Sequence, residues 1–336
     1  MIKVETKKLH LAHTWTIARN SSDFKENVFV QISKDGKTGI GEAAPNVRYD
    51  EDAERTTERL NDCLEIIEKN NLLNFQDLKK EIDRQITDQS CAKAAIDMAI
   101  LDWAGKKLNA PLFKMFGLNP EKAPLTSYSI GIDSIENMQQ RVREKADMPI
   151  YKIKLGKDND REIIEGIREV TDHVIRVDAN EGWRDKEYAL EQIKWLADKG
   201  VEFVEQPMPA EMLVETAWLK ERSPLPLIAD EAVKKTTDII KLAESYHGIN
   251  IKLMKSGGIL EALSMIHLAR AMEMEIMLGC MVESSVAISA AAQIAPFVDY
   301  VDLDGNLLLA DDPYSGVKVE QGKLIYNDLP GLGIPS

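Results

Sequence analysis

Residues 175–180 read IRVDAN, a short apolar run that stops on an acid, and the same construction returns at VEFVEQP (201–207) and LIADE (227–231). Outward from these, comparable runs stand at LTSYSIGI (125–132), IYKIKLG (150–156), INIKL (249–253), EIMLGC (275–280) and YVDLDG (300–305). Runs this short, apolar and rich in branched residues predict buried strands. Between them the spacing is helical: Ile163, Ile164, Ile167 and Val170 share one face, as do Ala189, Ile193, Leu196 and Ala197 before a stop at Gly200. The strand starts recur every 22 to 26 residues, the length of one strand, helix and two loops. Eight such units close a β/α barrel, whereas an open doubly wound sheet would be expected to carry a G-x-G-x-x-G loop after its first strand, and none is present.

The part ahead of the barrel has another texture. VFVQIS (28–33), an Asp35-Gly36 turn and GIGEAAP (39–45) predict an antiparallel meander. Helical stretches follow at 54–68 and 91–107, the second ending before Asn109-Ala110-Pro111. The expected fold is α/β, a (β/α)7β-type modified TIM barrel with an α+β capping domain. Residues 1–120 form the cap, 121–305 the barrel, and part of the tail 306–336 packs on the cap.

A chain of 336 residues with 44% apolar and 29% charged residues can fill a core of this size. Its net charge of -14 repels phosphate backbones and anionic lipid, so neither nucleic acid nor membrane is an expected partner. No run approaches the ~18 apolar residues of a span and the start MIKVETKK has no apolar signal segment, which predicts a cytoplasmic protein. Cys63, Cys91 and Cys280 are scattered and odd in number, and they read as small buried apolar residues. The five histidines lie near the strand-like start or on and beside helices, and are read as structural or exposed.

The charges are placed where chemistry would need them. Lys152 and Lys154 close the second run, Asp178 the third, Glu205 the fourth, Asp230 the fifth, Lys252 the sixth, and Asp302 with Asp304 the eighth. The C-terminal ends of barrel strands face one mouth, so these groups converge. A single charge at a strand end is more often a helix cap; six strands sorting acids and bases into blocks point to a site. Three carboxylates with no Cys or His form a hard oxygen set, suited to Mg²⁺, with Mn²⁺ possible, one ion per subunit.

Lys154 and Lys252 flank that set from opposite sides. Period 2 puts Lys152 on the same face as Lys154, where a neighbouring cation and a metal would disfavour the ammonium form. Two bases on opposite faces of a planar intermediate give inversion at carbon. The bland reading is a structural network of ion pairs, and a Schiff-base lysine would leave the carboxylates without a role.

These residues resemble the muconate-lactonizing subgroup of the enolase superfamily. The match rests on K-x-K (Lys152, Lys154), D-A-N (Asp178 to Asn180), E-Q-P (Glu205 to Pro207), A-D-E (Ala229 to Glu231) and N-I-K (Asn250 to Lys252), with GEAAP and the helix AAIDMAILDWAGKKLNAPL (94–112). The resemblance implies a metal held by Asp178, Glu205 and Asp230, with Asn180, Glu231 and Asn250 supporting them, and an enolate formed by Lys154 or Lys252; a lysine base with Mg²⁺ is the known pattern of this superfamily. D-L-D at Asp302 and Asp304 resembles the pair with which dipeptide epimerases hold a substrate ammonium, and Arg19, in a loop expected near 15–25, resembles the arginine that binds an acidic side chain. The implied activity is a dipeptide epimerase, most closely an L-Ala-D/L-Glu epimerase of cell-wall peptide recycling, acting as a homo-oligomer on a small dipeptide. The competing expectations are o-succinylbenzoate synthase, muconate cycloisomerase or N-acylamino-acid racemase of the same superfamily, and, from another class, a non-catalytic ligand-binding barrel.

Overall fold

The computed structural model describes residues 1–18 and 20–335. The chain starts as an antiparallel sheet of three strands, β1 (Ile2–Thr16), β2 (Ser21–Lys34) and β3 (Lys37–Ala43), in that order. Asp35 and Gly36 join β2 to β3 with φ of 50° and 72°, the paired left-handed conformation of a two-residue hairpin turn. The segment near 15–25, expected as a loop, is instead the tip of the β1–β2 hairpin: Trp15 pairs with Ser22 and Thr16 with Ser21. An irregularity between His10 and Trp15 shifts the register on the way there.

Four helices follow: α1 (Ala53–Asp62), α2 (Leu64–Lys69), α3 (Phe75–Gln85) and α4 (Ser90–Leu108). The single stretch expected over 54–68 is broken at Cys63 into α1 and α2, and α3 was not anticipated at all. Most of α4 is buried because it lies directly on β3. Gly39 and Gly41 permit that approach: a Cβ on either would stand 2.0 Å from Ala99 O or 1.9 Å from Ala95 O, well inside contact.

The barrel is eight parallel strands hydrogen-bonded in chain order: β4 (Tyr128–Ile130), β5 (Ile150–Lys154), β6 (Val174–Asp178), β7 (Val201–Glu205), β8 (Leu227–Ala229), β9 (Gly248–Lys252), β10 (Glu275–Gly279) and β11 (Tyr300–Asp302). A parallel bridge from Thr126 to Val301 brings the two edges together, leaving the sheet nearly closed. The crossovers carry the helices Ile135–Glu144, Asp160–Arg168, Lys186–Asp198, Leu213–Lys220, Thr236–Leu242, Ile259–Ala271 and Ser285–Ala292. Their apolar faces, such as Ile163, Ile164 and Ile167, are fully buried against the strands. No helix among the described residues is long and apolar enough to cross a membrane.

Cap and barrel are held by buried polar contacts. Glu42 at the end of β3 accepts from Asn27 Nδ2 (2.8 Å), Ser284 N (2.9 Å), Ser284 Oγ (2.6 Å) and Ala287 N (3.1 Å), so a carboxylate of the cap terminates a barrel helix. Arg48 donates twice to Glu181, in the loop after β6, at 2.8 and 2.9 Å. The tail returns to the cap: Ala310 N donates to His10 O of β1 at 2.8 Å, and Leu332 N to Asp102 Oδ1 of α4 at 2.9 Å.

Candidate active site

Strand register alone brings the charged residues together. Lys154 is paired with Asp178 across β5 and β6, Asp178 with Glu205 across β6 and β7, and Gly279 with both Lys252 and Asp302 across β9, β10 and β11. Every group named sits at the C-terminal end of its strand, so all face the mouth covered by the cap. Carboxylate oxygens of Asp178, Glu205 and Asp230 lie within 4.8 Å of one another, and all three residues are buried.

Each lysine has its own acid. Lys154 Nζ is 2.5 Å from Asp178 Oδ2, and Lys252 Nζ is 2.7 Å from Asp230 Oδ2. Lys152 sits deeper, 1% exposed against 7% for Lys154 and for Lys252, and bridges Glu205 at 2.6 Å, Asp302 at 2.8 Å and Asp178 at 3.5 Å. It cross-links the acid triad to the eighth strand. Burial disfavours the Lys152 ammonium, but Asp302 and Glu205 outweigh it and raise its pKa well above the usual lysine range. Lys252 is raised in the same way by Asp230 against the opposing effect of burial. At Lys152 and Lys252 the neighbouring carboxylates thus favour the ammonium form over the neutral amine.

Among these acids Glu205 is the exception. Burial, then the nearby Asp178 and Asp230 charges, push it up to about 7, while Asp178 and Asp230 are held low by Lys154 with Lys152, and by Lys252 with Lys255, despite burial. A buried triad built only of oxygen donors, in which Glu205 is pushed up by burial and by its neighbours' charges, fits a divalent hard cation.

The surrounding residues hold the carboxylates in place. Asn250 Nδ2 donates to Glu205 Oε1 at 2.8 Å, and Asn180 Nδ2 to Glu231 Oε1 at 3.2 Å. Gln206 Oε1 accepts from Asp230 N and Ala232 N at 2.8 and 3.2 Å, fixing the exit of β8 from the neighbouring strand end. Lys255 was missed in the sequence. The chain after β9 enters a four-residue helix, Leu253–Ser256, that swings Lys255 back under the site, where its Nζ meets Asp230 Oδ1 (2.5 Å), Asp230 O (2.6 Å) and Asn250 O (3.1 Å). The signal available was K-L-M-K, which puts a second lysine three residues after Lys252 and hence near it on a helical turn.

On the eighth strand Asp302 Oδ1 accepts from Ser127 Oγ (2.6 Å) and Ser129 Oγ (3.3 Å), its Oδ2 from Lys152 (2.8 Å), and Lys152 leads in holding it at about 2 against burial. Asp304 Oδ2 accepts from Ser129 N, while its Oδ1 faces Cys280 Sγ at 3.9 Å. Burial and the Asp302 charge push Asp304 up to about 7. Cys63 and Cys91 are buried as expected, but Cys280 is half-buried and lines the cavity. That cavity joins Lys152, Lys154, Lys252, Asp302 and Asp304 to the cap residues Trp15, Ile17, Asn20, Lys25, Arg48 and Tyr49. None of the histidines lines it. Arg19 lies outside the described residues.

A nearly closed eight-stranded barrel with an antiparallel cap and an all-oxygen acid triad between two lysines is the architecture of the enolase superfamily. Residues 134–335 match the enolase C-terminal domain-like family, and residues 1–117 the N-terminal domain of mandelate racemase / muconate lactonizing enzyme. The chain belongs to this family. It is 45% identical to an L-Ala-D/L-Glu epimerase of Bacteroides thetaiotaomicron over 97% of its length and 85% of the relative's. In three dimensions it is similar to a dipeptide epimerase from Cytophaga hutchinsonii complexed with Mg and the dipeptide D-Ala-L-Val (TM-score 0.94, 27% identity, 99% of this chain and 95% of that one). It is equally similar to an N-succinyl Arg/Lys racemase from Bacillus cereus (TM-score 0.94, 29% identity, 99% and 94%).

Proposed function

We propose that this protein is a Mg²⁺-dependent dipeptide epimerase that inverts the α-carbon of the C-terminal residue, with L-Ala-D/L-Glu as its substrate and recycling of cell-wall peptide as its setting. The observation that carries the reading is the pair Lys154 and Lys252, on β5 and β9, four strands apart in a barrel of eight and thus on opposite sides of the acid triad. In this reading the proton leaves Cα for Nζ of one lysine, which enters the step as the neutral amine, and the other lysine, entering as the ammonium, delivers its proton to the opposite face, so the configuration inverts with no change of oxidation state. Asp178, Glu205 and Asp230 would hold a divalent cation, which when bound would supply positive charge to offset the negative charge that develops on the substrate. Lys152, Lys255 and Asn250 hold the three carboxylates in position.

Asp304 favours a dipeptide over an N-acylated amino acid. A buried acid pushed up to about 7 by its neighbour Asp302 gains most from a cation, and a dipeptide brings an ammonium where an acyl group brings none. The relatives named as dipeptide epimerases support the same reading. In it, the cap and tail (1–120 and 306–336) select the substrate and residues 121–305 do the chemistry.

Proton exchange tests it. In ²H₂O with Mg²⁺ the protein is expected to place deuterium on the glutamyl α-carbon of L-Ala-L-Glu and L-Ala-D-Glu, read by the loss of the ¹H NMR signal, and to stop doing so in EDTA. Absence of exchange across a broad dipeptide panel would overturn the reading.

A further inference from the structure

The chain leaves β5 directly after Lys154, runs through residues 155–159 and enters the helix Asp160–Arg168. Leu155 N donates to Asp178 O at 2.8 Å, one more rung between the exits of β5 and β6. Gly156 then turns with φ of 100°, a conformation open to glycine. Asp160 reaches back to that turn with both carboxylate oxygens. Its Oδ1 accepts from Gly156 N and from Lys157 N at 2.9 Å each, and its Oδ2 from Gly156 N at 3.0 Å and from Trp183 Nε1 at 2.9 Å. Asp160 and Trp183 are buried, and neither lines the substrate cavity. Trp183 belongs to the loop after β6, and its own N donates to Pro207 O, just past β7, at 3.1 Å. One carboxylate and one indole therefore tie together the exits of the three strands that carry Lys154, Asp178 and Glu205.

The turn after Lys154 has little room. A Cβ on Gly156 would stand 2.4 Å from Ala179 O, and one on Gly182 would stand 2.4 Å from Gly156 Cα, so the loops after β5 and β6 are in backbone contact. Without Asp160 the amides of Gly156 and Lys157 and the indole N–H would lose their acceptor, and the turn would have to open toward solvent to find another. Lys154 stands only two residues ahead of Gly156 and would move with it. Lys252 is supported separately: β9 runs straight into the one-turn helix Leu253–Ser256, and none of the hydrogen bonds of Asp160 and Trp183 involves it. We propose that Asp160 is a positioning residue for Lys154, fixing the turn after β5 and with it the approach of the Lys154 amine to the α-carbon, and that it does so for one of the two bases only. This inference rests on the two-base epimerase reading given above. A reacting group displaced by about 1 Å can lose about 10²-fold in rate, so a small movement of the turn is enough for the effect to show.

The test compares exchange from the two faces of the α-carbon. The full-length protein in ²H₂O with saturating Mg²⁺ is given L-Ala-L-Glu and L-Ala-D-Glu in turn, and the initial rate of α-deuterium incorporation is read for each. Lys154→Ala identifies the isomer whose proton Lys154 removes, as the one whose exchange is lost. Asp160→Ala is expected to lower exchange from that isomer roughly 10- to 100-fold, and from the other less than about 3-fold. Asp160→Asn, which keeps an oxygen for Gly156 N and Lys157 N, should return most of the lost rate. Trp183→Phe removes only the indole donor and should shift the ratio in the same sense by about 3-fold, which keeps the comparison decisive if Asp160→Ala does not fold. Equal losses from both isomers, a larger loss from the isomer that Lys252 serves, or an unchanged ratio would overturn the assignment of Asp160 while the epimerase reading stands. If the wild-type protein exchanges neither isomer, that reading fails and the inference goes with it.

Discussion

Lys154 Nζ stands 2.5 Å from Asp178, and Lys252 Nζ stands 2.7 Å from Asp230, so each of two lysines on opposite barrel walls is docked on a carboxylate of the same acid triad. The triad thus orients both side chains toward one point from two directions.

Removing either lysine should separate proton removal from inversion. Lys154→Ala and Lys252→Ala are each expected to lower net epimerisation by about 10²- to 10⁴-fold, the usual worth of a positioned acid or base. Each variant should still exchange deuterium into one of L-Ala-L-Glu and L-Ala-D-Glu, and the two variants should differ in which. Normal epimerisation by either variant would eliminate the two-base scheme.

The pH profile should report Asp304. With its pKa pushed up to about 7 by burial and Asp302, the carboxylate forms only as pH rises through 7, and only the ionised form attracts a substrate ammonium. Binding is therefore expected to strengthen from pH 6 to pH 7.5, then to weaken as the dipeptide's own amine, with a pKa of about 8, loses its proton. Asp304→Asn should remove the acidic limb of kcat/KM and raise KM. An unchanged acidic limb in the variant would exclude this role for Asp304.

Glu42 should matter to stability without touching substrate. Glu42→Ala strands Asn27 Nδ2, Ser284 N and Oγ and Ala287 N in a buried place, which is expected to cost about 3 kcal/mol in denaturant unfolding. Glu42→Gln, which keeps one acceptor, should cost roughly half as much. A Glu42→Ala protein as stable as the wild type would show that these contacts are dispensable.

Much of the barrel was legible because each strand is a local signal: an apolar run, a charge at its end, and a fixed interval to the next. Asp178, Glu205 and Asp230 could be grouped from sequence because register and barrel closure follow from that repetition, and the structure does bring them within 4.8 Å. Lys255 was illegible because its burial depends on a one-turn helix doubling back under β9, and a lysine beside Ser256 and Gly257 otherwise reads as solvated. The Glu42 contacts join residues 242 and 245 positions apart, which no local pattern encodes. The loop near 15–25 is implied by the family resemblance alone, and the strand pairing found there depends on a partner strand that no local pattern announces.

The hairpin of β1 and β2 brings Trp15 and Ile17 to the barrel mouth, while further along β2 Asn27 donates to Glu42 of β3 and to Val282 O of the barrel. Anchorage and recognition therefore fall on different stretches of one ribbon. Trp15, Ile17 and Asn20 face the cavity from the cap while the lysines and acids stand on the barrel strands beneath, so the wall an entering ligand meets and the groups under it belong to separate parts of the chain.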